Sequence, residues 1–231
     1  MQTEQNHLII FTDKDDGNLA FHVEDEINAV LSNHEVLALK HNYNLSKLVH
    51  MKQIHSDIVH VVENEDDFEN PPTCDALITN KKNVPLMVMV ADCSPIIFFD
   101  PIKEVIAVAH SGRAGTFANI TKKVIEKFIT LYKSNVEDIE VKIGAAIGAC
   151  CYEVGYEIVE EAHKLHLDYA IKKRENSYYL NIPEILKNQL EALGITNYQI
   201  SNECTCCNTD KYYSYRAEGK TGRFCAVVEL H

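Results

Sequence analysis

Positive charge is scarce in this sequence: 22 lysines and arginines stand against 34 aspartates and glutamates, for a formal net charge of −12. The cationic residues form no basic run. Because binding to nucleic acid begins with neutralisation of phosphates by clustered Lys and Arg, we expect no nucleic-acid partner. A small anionic substrate is compatible with this balance if a few cationic side chains converge at one place.

Long apolar runs, linkers and repeats are also missing. No run approaches the roughly 20 apolar residues that span a bilayer, and the first residues have neither the basic start nor the apolar core of a signal peptide. A chain with 46% hydrophobic residues can bury one sizeable core. We therefore expect one domain over residues 1–231, a cytoplasmic location and no membrane partner.

Disulfide bonds are not expected, although the sequence has eight cysteines. The chain is too long for a disulfide-stapled mini-domain, and the adjacent pairs Cys150-Cys151 and Cys206-Cys207 bridge poorly. We interpret the cysteines as reduced. Together with Cys204, the second pair resembles a zinc knuckle, but C-x-C-C differs from the C-x₂-C spacing and has no matching second pair, so we predict no structural zinc there.

Short runs rich in β-branched residues predict strands. They cover residues 8–11, 58–62, 84–90, 96–99, 105–109, 139–143 and 224–229. Helices are predicted from near Thr116 with an apolar stripe through Leu131, over 154–167, and after Asn181 with Pro183 in the first turn and Gly194 as the stop. Strands outnumber helices and do not alternate regularly with them, which favours an α/β (α+β) fold of layered mixed sheets flanked by helices.

The segment 84–116 holds the most informative residues. Asp100-Pro101 is a turn signal between two apolar runs, so residues 96–99 and 105–109 should pair as an antiparallel hairpin. If Phe99 faces Val105, Cys93 and His110 fall almost opposite each other at the open end of the hairpin. Opposed residues lie roughly 4.5 to 5.5 Å apart between Cα atoms, close enough to share a metal ion.

A third ligand would complete a catalytic metal site. In the stretch KQIHSDIVHVV, His55 opens an extended segment that continues into the strand predicted over 58–62, and His60 lies five residues on. Side chains of a strand alternate between its two faces, so only one of the two histidines can join Cys93 and His110. The spacing leaves the choice open. Two histidines and one cysteine leave the fourth tetrahedral position free, which is typical of catalytic zinc. Copper is the competing metal, because the same donor set describes electron-transfer copper.

Two loops offer cationic groups to such a site. The first runs from Ser111 to Thr116 through two glycines into a predicted helix, where backbone N–H groups and Arg113 could hold a phosphate. The second, Ser214-Tyr215-Arg216 followed by Gly219 and Thr221-Gly222-Arg223, could bring an arginine to a cleft.

Five segments follow one another along the chain: QIHSD, ADCSP, AVAHSGRAGT, IGAAIGACCYEVG and CTCCNTDKYYSYRAEGKTGR. In this order they resemble the YfiH-type laccase-domain family, also described as multicopper polyphenol oxidoreductases and as purine nucleoside phosphorylases. The resemblance implies a zinc ion bound by His55, Cys93 and His110, and so selects His55 over His60. It also implies an α/β/β/α layered sandwich with mixed sheets, similar to a toxin deamidase.

The activity implied by the resemblance is phosphorolysis of adenosine, inosine, guanosine and methylthioadenosine, together with adenosine deamination. We expect a small-molecule substrate, a purine nucleoside with phosphate, and a monomer or small homo-oligomer. In deamination Asp92 would move the proton, and in phosphorolysis a cationic side chain would hold the phosphate. The candidate residues are Asp92, Cys93 and Arg216 for catalysis, and Lys14, His22, Gly112, Arg113 and Arg216 for substrate binding.

Several positions depart from the family's pattern. In His-Ala-Gly-Trp-Arg-Gly-Thr the tryptophan is lost and the arginine stands one place earlier, because this chain has Arg113 and Ala114. Lys14 replaces an arginine, Ala217 replaces the second arginine of Ser-Tyr-Arg-Arg, and His34 stands where an Asn-Arg pair is expected. The metal ligands are intact, whereas the expected anion and substrate contacts are altered.

Three other functions use parts of the same sequence. A copper-dependent polyphenol oxidase (laccase) needs several coppers and many histidines in H-x-H pairs, and the chain has no H-x-H. A cysteine or zinc amide hydrolase that edits peptidoglycan precursors would use Cys93 as nucleophile and His110 as base. A zinc-buffering or interaction module would need a closed four-ligand site, for which no fourth ligand stands out.

Overall fold

The computed structural model describes residues 7–231. The strands are β1 His7–Phe11, β2 Val59–Val61, β3 Ala76–Thr79, β4 Leu86–Val90, β5 Ser94–Asp100, β6 Val105–Ser111, β7 Glu140–Ile143, β8 Glu153–Val154, β9 Ile171–Arg174, β10 Ser177–Leu180, β11 Tyr198–Ile200 and β12 Phe224–Leu230. The α-helices are α1 Ile27–His41, α2 Arg113–Phe117, α3 Ile120–Tyr132, α4 Tyr156–Lys164, α5 Ile182–Ala192 and α6 Tyr215–Glu218.

A six-stranded mixed sheet forms one central layer, with the strand order β11-β7-β5-β6-β3-β2. In its middle, β5 and β6 form an antiparallel hairpin. Every residue of these two strands is buried, because both faces of the sheet are covered. Strands covered on both faces read as continuous apolar runs, which is how this hairpin reads in the sequence.

Alternate residues of β5 enter two different cores. Ile96 and Phe98 pack on the side of α3 and α5. Ile97 and Phe99 pack on the other side, against the three-stranded antiparallel sheet β1-β12-β4. The far face of that second sheet packs against α1. The order helices, sheet, sheet, helix confirms the predicted α/β/β/α sandwich.

All seven predicted strands are present, with bounds that shift by one or two residues in most cases. The fold also contains strands that the alternation pattern did not reveal, namely β3, β11 and the small sheet β8-β10-β9. No helix among residues 7–231 combines the length and apolar character needed to cross a membrane.

The helix predicted from near Thr116 is two helices. They are separated at Asn119, whose φ of +57° is left-handed and whose side chain accepts a hydrogen bond from the N–H of Lys122 to cap α3. Leu131, predicted to lie inside, is 52% exposed. The helix predicted over 154–167 is shorter, as α4, whereas α5 begins after its Asn181 cap as expected.

The first helix, α1, was not predicted. It buries Val30, His34, Leu37 and Ala38, the usual spacing of an inward stripe. The apolar periodicity of this helix is weak in the sequence, because a histidine lies in the buried stripe and apolar residues such as Leu39, 84% exposed, lie on the solvent side. The Nε2 of His34 lies 2.7 Å from the carbonyl oxygen of Leu19, whereas its buried Nδ1 has no hydrogen-bond partner among the described residues. Burial lowers the pKa of this histidine to about 4, so it is a core residue of α1.

Candidate metal centre and cavity

His55, Cys93 and His110 lie together at one end of the β5–β6 hairpin, with one potential ligand atom from each within 4.8 Å of the other two. The two imidazole rings meet nearly edge to face, with centroids 4.7 Å apart and planes at 81°. His110 is buried, Cys93 is half-buried and His55 is exposed, so the group opens to one side. The competing candidate His60 lies elsewhere, with its Nε2 2.6 Å from a carboxylate oxygen of Asp66.

The predicted hairpin register is wrong by one residue. Val105 pairs with Asp100 instead of Phe99, and His110 pairs with Pro95. Continued past the strand, this register places Cys93 opposite Gly112, two residues from His110 and therefore on the same face. In the predicted register Cys93 would have faced Ser111, on the opposite face, because a one-residue slip reverses every side chain.

His55 lies in a turn before β2 and not at the start of a strand, so that prediction is also wrong. Its φ is +60°, in the left-handed region that is uncommon for non-glycine residues. The turn is held by the carboxylate of Asp75, which accepts hydrogen bonds from the N–H groups of Ile54, His55 and Ser56 at 3.2, 3.0 and 2.6 Å. Strand alternation therefore does not decide where His55 points.

Asp75 also orients a candidate ligand directly. The carboxylate is fully buried, and its Oδ1 lies 2.9 Å from Nδ1 of His110, which leaves Nε2 as the nitrogen available to a metal. Burial alone would raise the pKa of Asp75, but hydrogen bonds from His110 and Ser56 lower it to about 2. Carboxylates in this position fix the tautomer and orientation of metal-binding histidines.

The neighbours of Cys93 favour its thiolate. Burial opposes a charge on the sulfur, but the adjacent His110 and His55 lower the pKa of Cys93. Burial likewise opposes protonation of His110, whereas Cys93 and Asp75 raise the pKa of that imidazole. The thiolate is the form of cysteine that binds metals and acts as a nucleophile.

Gly112 is required by close packing around the candidate ligands. A Cβ atom at this position would lie 2.9 Å from Sγ of Cys93 and 3.1 Å from Cδ2 of His55. Its φ is −77°, an ordinary value, so the constraint is space and not backbone strain. Gly112 was predicted to bind substrate, and the structure places it directly against the candidate ligands.

The candidate ligands form part of the wall of a cavity of about 400 Å³, a volume within the range of small-molecule sites. Predicted site residues in the wall are His22, Asp92, Gly112, Arg113 and Arg216. Lys14 is not part of the wall. Its Nζ contacts a carboxylate oxygen of Glu218 at 2.7 Å and the carbonyl oxygen of Thr209, so in this structure Lys14 joins two loops outside the cavity wall.

Arg216 reaches the cavity from α6. Its guanidinium lies over the ring of Tyr152, 5.2 Å from the centroid, and donates to the carbonyl oxygens of Cys151 at 3.1 Å and Glu153 at 3.0 Å. Arg113, in the first turn of α2, donates to a carboxylate oxygen of Glu161 at 2.6 Å. Both arginines therefore have protein partners, and neither is fully buried.

Asp92 lies in the cavity wall next to Cys93, but both of its carboxylate oxygens are engaged. Oδ1 accepts from Oγ1 of Thr205 and Oδ2 accepts from the N–H of Arg216, each at 2.6 Å. The φ of Asp92 is +83°, a strained value that these contacts hold in place. The side chain thus fastens two loops to the end of β4.

Two contributors were not among the site residues assigned from the sequence. Arg223 lines the cavity with His22, and burial, followed by the positive charge of Arg223, lowers the pKa of that histidine. Arg223 belongs to the TGR segment at the end of the last family motif, the one sequence signal for it. Asp75 had none, because it lies in a stretch without a motif and reaches His110 only through the pairing of β3 with β6.

The donor set fits one metal ion at this centre and does not fit a multicopper oxidase. Two histidines and one thiolate leave one tetrahedral position open, the arrangement of catalytic zinc. Within residues 7–231 the one other close group of potential ligands consists of four cysteines, and cysteine alone does not supply the histidines of several copper ions. A single zinc or copper ion therefore remains compatible with the residues present.

Comparison with known proteins gives a consistent set of relatives. The model of the multi-copper polyphenol oxidoreductase laccase family matches residues 10–231. A purine nucleoside phosphorylase of Clostridium acetobutylicum is 35% identical over 87% of this chain and 85% of its own length. Another purine nucleoside phosphorylase, from Corynebacterium glutamicum, is 34% identical over 92% of this chain and 86% of its own length.

Solved structures agree with this grouping. The crystal structure of YlmD from Geobacillus stearothermophilus covers 98% of this chain and 92% of its own, with a TM-score of 0.91 and 28% identity. That of the hypothetical protein YfiH from Bacillus licheniformis covers 93% of this chain and 85% of its own, with a TM-score of 0.88 and 30% identity.

Proposed function

This chain belongs to the multi-copper polyphenol oxidoreductase laccase family, and on that premise we propose that it is a zinc-dependent purine nucleoside phosphorylase. The observation that carries the proposal is the convergence of His55, Cys93 and His110 in the wall of a cavity that also holds arginines. A zinc ion held by these three residues would supply Lewis-acid chemistry at the open side of the centre. Relatives named purine nucleoside phosphorylase support the substrate class.

The cavity has walls suited to a nucleoside. Ile147, Tyr152 and Tyr215 offer apolar and aromatic surface to a purine base, while polar groups lie at the metal centre. Adenosine, inosine, guanosine and methylthioadenosine share the purine and ribose that such a cavity would hold. We propose all four as substrates.

Phosphorolysis places its main electrostatic demand on the phosphate. A phosphate oxygen forms a bond to the anomeric carbon while the glycosidic bond breaks, and the purine leaves with the bonding electron pair. We assign Arg216 and Arg223 to the phosphate, because both line the cavity and a guanidinium can donate two parallel hydrogen bonds to an oxyanion. Holding the anion at the reacting carbon supplies orientation as well as charge.

We include adenosine deamination in the proposal as the minor reaction. It needs a proton carrier near the metal centre, and Asp92 lies in the cavity wall beside Cys93. Because both carboxylate oxygens of Asp92 already accept hydrogen bonds, we assign this residue first to positioning Arg216 and its loop. Phosphorolysis is therefore expected to be the faster reaction.

A nucleoside panel with phosphate varied tests this function. We expect inosine to release hypoxanthine only when phosphate is present, with ribose 1-phosphate as the second product, and adenosine to yield a smaller amount of inosine without phosphate. Chromatography separates all of these products. If none of the four nucleosides is turned over at any phosphate concentration, the proposal is contradicted.

The arrangement of Cys93, His110 and Asp75 favours a second candidate, a metal-free cysteine amide hydrolase. A thiolate next to a histidine that is oriented by a buried aspartate is the order of groups in a Cys–His–Asp triad. Metal analysis separates the candidates. A protein stripped of metal should lose phosphorolysis, whereas amide cleavage that survives stripping would support the hydrolase. The same analysis distinguishes zinc from copper.

A further inference from the structure

Four cysteines form a second cluster beside the cavity. Cys150, Cys151, Cys204 and Cys207 each place a sulfur within 4.8 Å of the other three. Sγ of Cys207 lies 3.5 Å from Sγ of Cys150 and 3.3 Å from Sγ of Cys151. Sulfurs bound to one zinc ion lie about 2.3 Å from the metal and therefore about 3.8 Å from one another in a tetrahedron. The cluster has the size of a four-thiolate zinc site.

We propose that these four cysteines bind a second zinc ion, and that this ion is structural. Four protein ligands fill the tetrahedron and leave no position for a substrate, unlike the centre at His55, Cys93 and His110. The proposal does not depend on what the first centre catalyses.

The backbone around the cluster is shaped for sulfur. The N–H of Gly148 donates to Sγ of Cys204 at 3.2 Å, as expected for a thiolate acceptor. A Cβ on Gly148 would lie 3.1 Å from Sγ of Cys150 and 3.4 Å from Cβ of Cys204, so this position keeps space for the sulfurs. Tight turns on both sides, from Gly148 to Cys151 and from Cys204 to Cys207, turn each pair of cysteines toward the other.

The sequence contains a usable signal that the C-x-C-C interpretation missed. Cys204 and Cys207 are themselves a C-x₂-C pair, with Cys206 between them. The second pair is Cys150-Cys151, more than fifty residues earlier, and the bridge between Ala146 and Cys204 brings the two loops together. The prediction that no structural zinc binds here considered only the C-terminal segment, and the proposed site takes its second pair from Cys150-Cys151.

A disulfide explains the cluster less well. It would join two sulfurs and leave the other two without a role, and the neighbours Cys150 and Cys151 bridge poorly. Cys150 and Cys207 are both exposed, so a metal ion has access to the site from solvent. All four positions of the cluster gain a function when the ligand is one zinc ion.

The bound ion would hold two loops of the cavity wall together. The loop with Cys151 continues into Tyr152, whose ring lies under Arg216, and the carbonyl oxygen of Cys151 accepts a hydrogen bond from that arginine. The loop with Cys204 continues into Thr205, which donates to Asp92. Zinc at the cluster would thus fix the walls of the cavity without entering it.

Zinc content measured by atomic emission tests the proposal on the purified full-length chain. We expect about two zinc ions per chain in the wild type and about one in Cys207→Ser. The matched control is Cys206→Ser, in the same loop and next to Cys151 but not one of the four close sulfurs, which should keep both ions. The variant His55→Ala should keep about one ion, at the cysteine cluster. If Cys207→Ser does not fold, Cys150→Ser removes the other exposed sulfur and has the same expected zinc content.

The zinc contents of the two variants distinguish failure of the structural-site proposal from failure of the proposal for the first centre. Zinc that disappears completely in His55→Ala, or is unchanged in Cys207→Ser, overturns the structural site and leaves the first centre intact. One zinc ion that survives His55→Ala but not Cys207→Ser supports the structural site and counts against zinc at the first centre. An intact mass about 2 Da low, with Cys207 in a disulfide after rapid acid denaturation, also overturns the proposal.

Discussion

The two cysteine-containing sites differ in the number of their potential ligands and in the residues that surround those ligands. The centre at His55, Cys93 and His110 has three donors, a buried carboxylate at Asp75 and a cavity on its open side. The cluster of four cysteines has a closed set of donors on two surface loops. Three ligands with a free coordination position, one of them oriented by a buried carboxylate, are typical of a catalytic metal site. Four protein ligands on two loops are typical of a structural metal site that holds those loops together.

The largest effect is expected from replacing Cys93 by Ser. The open centre would lose its thiolate donor, so we expect loss of its metal ion and a fall in phosphorolysis beyond the roughly 100-fold that outer-shell changes cost. The paired control is Cys207→Ser at the closed site, which should keep measurable phosphorolysis. Zinc content and initial rates, measured on the same preparations, check both. Equal losses of activity in the two variants would remove the distinction between the sites.

An intermediate effect is expected from Asp75→Asn. An amide carries no negative charge, so it cannot stabilise a positive charge on His110 as the carboxylate does. It also has one acceptor oxygen where the carboxylate has two, so part of the hydrogen bonding to the backbone N–H groups around His55 is lost. We expect metal affinity or activity to fall by roughly 10- to 100-fold. Titration with a competing chelator measures the affinity.

A second histidine–aspartate pair provides the control for this variant. Asp66 contacts His60 at 2.6 Å, away from the centre, so Asp66→Asn should leave metal affinity unchanged. If both variants weaken metal binding equally, Asp75 acts through general stability and not through His110.

The smallest effect is expected from Arg216→Lys. Lysine keeps the positive charge but lacks the planar guanidinium, which donates hydrogen bonds to the carbonyl oxygens of Cys151 and Glu153 and can also donate to a phosphate. We expect the KM for phosphate to rise roughly tenfold, equivalent to the loss of one charge-assisted hydrogen bond, with little change in the zinc content. Steady-state rates at varied phosphate measure it. An unchanged KM would move the phosphate site to another cavity residue.

The sequence predicted the layers better than the contacts between them. Apolar runs such as β5 and β6 are visible as strands, and their hairpin places Cys93 and His110 at the same end of the sheet, although the predicted register put the two side chains on opposite faces. The true register was not accessible, because a turn after Asp100 allows pairings one residue apart, and only packing on both faces selects one.

Long-range contacts explain the remaining omissions. His55 was chosen over His60 by family resemblance, since its position depends on a turn held by Asp75 twenty residues away. Cys150 meets Cys207 across 57 residues, and local spacing carries no information about such a contact. Lys14 was predicted at the substrate because it stands in place of a family arginine, and its contact with Glu218, 204 residues away, carries no local signal.

X-ray absorption at the zinc edge of the Cys207→Ser variant tests the central claim most directly, because the open centre should then hold the one remaining zinc ion. We predict a first shell of two nitrogens from His55 and His110, one sulfur from Cys93 and one light atom from solvent. A first shell of sulfur alone, or the absence of bound zinc in a folded protein that still performs phosphorolysis, would contradict the assignment.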